Sequence, residues 1–126
     1  MLSMTSCGNN SKTIDLDGEW RVSTIDGETI PETLEEVILT FDNSSNSYHG
    51  VTGVNIINGS YLLNDFSLTL GEGAMTKKMG DPISNEIEIK YVKAIHAIKS
   101  VTDESGKLLL QDGEGKTLMT LERIKR

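Results

Sequence analysis

The chain has 126 residues, 37% of them hydrophobic and 25% charged, which fits one ordinary globular domain with a single core. Lys and Arg number 12 against 19 Asp and Glu, a net charge of −7. That balance repels nucleic-acid phosphates, leaves no basic stripe to neutralise them, and gains little from anionic lipid. The longest apolar runs, such as Val37-Ile38-Leu39 and Leu108-Leu109-Leu110, fall far short of the ~20 residues of a membrane-spanning helix.

The chain opens Met1-Leu2-Ser3-Met4-Thr5-Ser6-Cys7-Gly8-Asn9-Asn10-Ser11-Lys12. Small residues before a cysteine, then a polar run, resemble the cleavage box of bacterial lipoproteins, whose cysteine is acylated and whose polar run is a tether. Six residues precede Cys7, where a full signal takes roughly 15–30, so residues 1–15 read as a truncated signal stub and flexible tether. The plainer alternative is a frayed tail with an incidental thiol. As the sole cysteine, Cys7 has no internal disulfide partner.

From residue 16 onward the elements follow one another closely. Leu16 to Val22 predicts a turn and a strand start with Trp20 as a core anchor, and Asp26-Gly27 a turn. Val37 to Asp42 predicts a strand with Val37, Leu39 and Phe41 on one face, and Asn43 to Ser47 a hairpin loop. Tyr48 to Asn55, Gly59 to Leu63 and Phe66 to Leu70 predict three more short strands. A glycine-rich segment, Gly71 to Gly80, precedes Asp81-Pro82, a helix N-cap and first turn. Ile83, Ile87, Tyr91, Ala94, Ile95 and Ile98 then recur every three or four residues, a helical stripe that Ile89 and Val92 broaden. Strands at Lys99 to Thr102, Lys107 to Gln111 and Thr117 to Glu122 close the chain, the last two around an Asp112 to Gly115 loop. The fold class is α+β and β-rich: a strongly curved antiparallel sheet or partly open barrel of about seven or eight strands, closed by one main helix.

Gly50-Val51-Thr52-Gly53-Val54-Asn55-Ile56-Ile57-Asn58-Gly59-Ser60-Tyr61 resembles the META/HslJ-like signature G-x-x-G-C-N-x-x-x-G-x-Y. Leu16 to Trp20 resembles that family's first strand, and Met75 to Pro82, with Thr76 and Met79, its T-x-M-A-C-P segment. Glu86 begins the helix as the family's glutamate does, and the last two strands resemble its closing hairpin. Residues 16–126 are thus taken as the META-like domain. The resemblance implies a cysteine pair between the two motifs, but this chain carries Val54 and Gly80 there. It further implies a role in envelope stress tolerance, and says little about activity.

Read physically, Gly50, Gly53 and Gly59 suit strand bends or close backbone approach, and Asn55 a turn-stabilising hydrogen bond to nearby backbone. A phosphate-cradling loop would need a helix start and a lysine next to these glycines, and neither follows. His49 and His96 are too far apart in sequence to suggest a metal site. Asp15, Asp17, Glu19, Glu32, Glu35 and Glu36 crowd the first third, where they read as a solvated face. Met75 and Met79, with Ile87, Tyr91 and Ile95, form a candidate apolar groove, although filling the core is the commoner use of such residues.

The expectation is a non-enzymatic, lipid-anchored envelope domain, placed at the outer membrane on its periplasmic or surface side. It binds a protein partner or hydrophobic ligand and needs no metal or cofactor. Two alternatives stand beside it: a glycan- or lipid-acting hydrolase using the acidic residues, and a purely structural domain.

Overall fold

The computed structural model describes residues 14–31, 37–71 and 73–124. Ten strands occur among them: β1 (Gly18–Ile25), β2 (Glu28–Thr29), β3 (Ile38–Asp42), β4 (Ser47–Val51), β5 (Ile56–Asn64), β6 (Ser67–Leu70), β7 (Ala74–Met75), β8 (Ser100–Glu104), β9 (Lys107–Gln111) and β10 (Thr117–Arg123). One helix, α1 (Pro82–Ala97), stands between β7 and β8.

All pairings are antiparallel. The order β10-β9-β8-β6-β5-β4-β3-β1 returns to its start because β10 also pairs with β1, Leu121 opposite Val22. Eight strands therefore form a closed ring, with β2 attached to β1 and β7 to β5. The ring is uneven. Most joints run over four or five residue pairs, but β6 meets β8 at one pair, Ser67 with Ser100, supported by bonds from Leu68 N to Lys99 O and Val101 N to Phe66 O. The curved sheet and single helix expected from the sequence are present. The two extra strands are two-residue pieces lying in segments read as turn and glycine-rich loop.

Local chemistry sets the corners. Asp26-Gly27 and Ser105-Gly106 each place two consecutive residues at positive φ, the geometry of a tight two-residue hairpin that follows strand twist. Asp112 accepts from the amides of Glu114 and Lys116 and so folds the last loop around its own carboxylate. At the start of α1, Asp81 accepts from Ser84 N at 2.8 Å with Pro82 in the first turn, as the sequence suggested. That bond holds the Asp81 carboxyl below its ordinary range.

The interior is built by strand alternation: Trp20 and Val22, Leu39 and Phe41, Leu68 and Leu70, Leu108 and Leu110, Met119 and Leu121 all point inward. From α1, Tyr91, Ala94 and Ile95 complete this core, joined by Ile98 just past its end. The helical stripe is shorter than the sequence pattern implied. Ile83 and Ile89 are 60% and 68% exposed: α1 enters the ring by its C-terminal half and leaves Ile83 beyond it, while Ile89 lies on the helix face opposite Tyr91.

Two large phenols sit inside this narrow ring, and glycines make room for them. A Cβ on Gly50 would collide with the Tyr91 hydroxyl and with Ile57, and one on Gly59 would lie 2.7 Å from the Tyr48 ring. Tyr91 donates to Ile38 O at 2.9 Å and Tyr48 to Gly71 O at 2.6 Å, so both buried hydroxyls are satisfied. Burial raises the ionisation of each above the ordinary phenol range, most for Tyr91. Tyr61 packs edge-on to Phe41 with ring centroids 5.1 Å apart.

The substitution Gly50→Ala is therefore expected to cost about 1–3 kcal/mol through overpacking, read from urea unfolding. Tyr91→Phe removes the oxygen that the new methyl would strike, at the cost of about 1 kcal/mol for its hydrogen bond. The double variant should lose less than the two single losses added, and strict additivity would contradict the packing account.

Candidate functional site

The glycine-asparagine motif forms a polar staple. Gly53, at φ 97°, turns the chain sharply after β4 and brings Thr52 and Asn55, both buried, beneath the strap at 76–78. The Thr52 hydroxyl accepts from Asn55 N at 2.8 Å and lies 2.8 Å from Glu88 Oε1, to which it donates. Asn55 uses its full capacity. Its Nδ2 donates to Glu88 Oε1 (2.7 Å) and Lys78 O (3.1 Å), and its Oδ1 accepts from Thr76 Oγ1 (2.9 Å) and Lys78 N (2.6 Å). The expected turn-stabilising asparagine thus ties three separate segments together, far beyond its own turn.

The partner on the helix is Glu88. Glu86, the residue matched to the family glutamate, faces solvent and lies 3.6 Å from Lys90. Glu88 stands three residues before Tyr91 and seven before Ile95, on the buried stripe. A carboxylate at such a position was the available sequence signal. The two positions where the family carries cysteines are neighbours here too: a Cβ on Gly80 would lie 2.8 Å from Val54 Cγ2.

A separate, apolar groove of about 430 Å³ runs between the first turns of α1 and the β1–β2 hairpin. Ile25, Ile30, Pro31, Ile83 and Ile87 form its walls. Lys90 lies across it, bonded to Glu28 and facing Glu86, and the Glu28 carboxylate holds its ammonium above the ordinary lysine range. This is a different groove from the one expected. Of Met75, Met79, Ile87, Tyr91 and Ile95, only Ile87 lines it. Tyr91 and Ile95 are sealed in the core, Met75 packs half-buried opposite Ile57, and Met79 is 88% exposed, its sulfur accepting from Asn85.

The other singled-out residues fall in varied surroundings. Trp20 is buried, donates to Leu16 O at 2.7 Å, and carries the Arg123 guanidinium 4.2 Å above its ring. His49 bonds Asn58 across strands at 2.6 Å, and His96 lies exposed on α1. Among the described residues, no group of three or more His, Cys, Asp or Glu is close enough to hold a metal ion. Asp15 and Asp17 accept from the amides of Asp17 and Asn43, a turn-building use. Cys7, Glu32, Glu35 and Glu36 lie outside the described residues.

A ring of short antiparallel strands plugged by one helix, with the glycine-asparagine motif stapling strap to helix, defines a class of small β-barrel domain. A family model described as META domain matches residues 12–125, and the chain belongs to the META domain family. Three solved structures share the fold. The NMR structure of a protein from Burkholderia xenovorans has TM-score 0.69 and 23% identity, covering 94% of this chain and 97% of that one. A second NMR structure has TM-score 0.67 and 18% identity, covering 85% and 89%. The crystal structure of a DUF4847 family protein from Bacteroides vulgatus ATCC 8482 has TM-score 0.64 and 16% identity, covering 88% and 95%. At these identities the likeness concerns the fold alone. None of the curated proteins matches the chain. The family is one of uncertain function and is not known as enzymatic.

Two substitutions test the staple. Asn55→Ala breaks four hydrogen bonds to part-buried partners and should cost about 3 kcal/mol in urea unfolding. Asn55→Asp should be at least as damaging, because it sets a carboxylate against Glu88, and adding Glu88→Gln should recover part of the loss. No recovery in the double variant would exclude that repulsion. Separately, Val54→Cys with Gly80→Cys, in a Cys7→Ser background, should form a disulfide without rearrangement and add about 3–4 kcal/mol in the chain-entropy model. Failure of the two thiols to pair under mild oxidation would contradict their adjacency.

Proposed function

We propose that this chain is a non-catalytic binding domain, held at the cell envelope through an acylated Cys7, whose α1–β2 groove takes an apolar segment of a partner protein. The groove carries the reading. Its walls are aliphatic, its polar lining is Thr29 and one lysine between two carboxylates, and Ile83 borders it largely exposed. An exposed isoleucine beside further aliphatic surface supplies binding energy when covered. The Lys90 contacts at the rim can orient whatever enters. Anchoring is supported by the residue pattern around Cys7, and a place in envelope stress tolerance by family resemblance.

Both parts can be measured. Intact mass of the protein isolated from its host, produced from the complete gene, should show the acyl groups on Cys7, and an unmodified thiol would remove the anchor. A photo-crosslinking residue at Ile30 should give one discrete adduct in host cells, and Ile83→Glu should abolish it while unfolding at an unchanged urea midpoint. An adduct indifferent to Ile83→Glu would show that the groove is not the binding surface.

A further inference from the structure

A second depression, of about 500 Å³, lies where the described chain begins. Ile14, Leu16, Tyr61, Leu62 and Leu63 supply wall, and Asp15, Asn43 and Asn46 polar edge. Leu62 is 70% exposed on the outside of β5, and Phe66, in the turn that follows, is 51% exposed. Resting on the Cys7 anchoring proposed above, we infer that this end of the barrel lies on the lipid bilayer. Leu62 and Phe66 enter a zwitterionic headgroup layer, and the groove is held away from the membrane.

Tether length decides the orientation. From Cys7 to Ile14 the chain spans seven residue steps, which reach about 24 Å at full extension. Ile14 opens on the depression, so Leu62 is brought to the surface at little extension. The groove sits at the opposite end of β1. That strand runs from Gly18 to Ile25, and Ile25 is a groove wall. At ~3.3 Å per residue the two ends are about 23 Å apart. Setting the groove on the bilayer would need the chain from Cys7 to Ile14 drawn out to nearly its full reach, which chain entropy opposes.

Charge selects the lipid. At this end burial, and then the negative charges of Asp17, Asp42 and Asp15, raise the ionisation of the Tyr61 hydroxyl above the ordinary phenol range. The neighbouring cation, Arg123, is turned onto the carbonyls of Asp15 and Asp17 and the Trp20 ring. These carboxylates disfavour an anionic surface and tolerate a zwitterionic one.

Because Cys7 is the sole cysteine, its thiol can be added across the double bond of a maleimide-bearing lipid in phosphatidylcholine vesicles. This supplies the anchor chemically, so the result stands whether or not the host acylates Cys7, and the two failures are told apart. Amide hydrogen exchange is compared with protein capped by a soluble maleimide. On vesicles, exchange should slow several-fold in the turns at 43–46 and 64–66 and stay unchanged at 28–31 and 83–90. Leu62→Asp should remove the slowing, and phosphatidylglycerol in place of half the phosphatidylcholine should diminish it. No slowing, slowing confined to 28–31 and 83–90, or equal slowing on the anionic vesicles would overturn the inference.

Discussion

Closing eight strands into one ring removes most of the free edges that a small sheet would otherwise expose, but it leaves an interior of fixed and narrow bore. Everything inside must fit that bore. Here α1 drives Tyr91 into the ring and β4 contributes Tyr48, and the space both rings need is left by inward positions with no side chain, at Gly50 and Gly59. The barrel is therefore filled by pairing a large residue with an absent one across neighbouring strands. The helix is set by the same constraint: only its C-terminal half finds room, and its first turns project to make one wall of the groove.

Much of this was legible in residue order. Alternation at Leu39 and Phe41, at Leu68 and Leu70, and at Leu108 and Leu110 marks strands with one buried face, and Asp26-Gly27 marks a turn. Asp81-Pro82 marks the helix start. What escaped depends on tertiary placement. Two-residue strands such as β2 and β7 have no period to detect. Ile83 continues the stripe that buries Tyr91 and Ile95, and nothing in its spacing says that the ring ends before it reaches it, whereas Ile89 lies on the opposite face of the helix. Asn55 reads as a local turn residue because its partners, Lys78 and Glu88, are 23 and 33 positions away. Of the residues offered as a groove, Ile87 alone lines the one beside α1, since the opposite wall comes from a hairpin distant in sequence.

The staple and the groove divide the labour of the domain. Thr52, Asn55, Thr76 and Glu88 bond to one another and to backbone, so this motif fixes the angle of α1 to the ring. A helix fixed in this way gives Ile83 and Ile87 a stable spacing from Ile30 and Pro31. The family signature thereby acts on the groove at one remove, through geometry.

The meeting of β1 with β10 has a kinetic side. Val22 and Leu121 are opposite each other in the ring yet 99 positions apart along the chain, so the first strand has no complete setting until the last has been synthesised. Loop closure over such a separation is slow, and a growing polypeptide keeps its earliest segment unpaired on one side throughout. A chain that delays its own closure stays threadable. Burial of the core behind the first strand therefore waits on the last one, and the order of the strands sets when the ring can close.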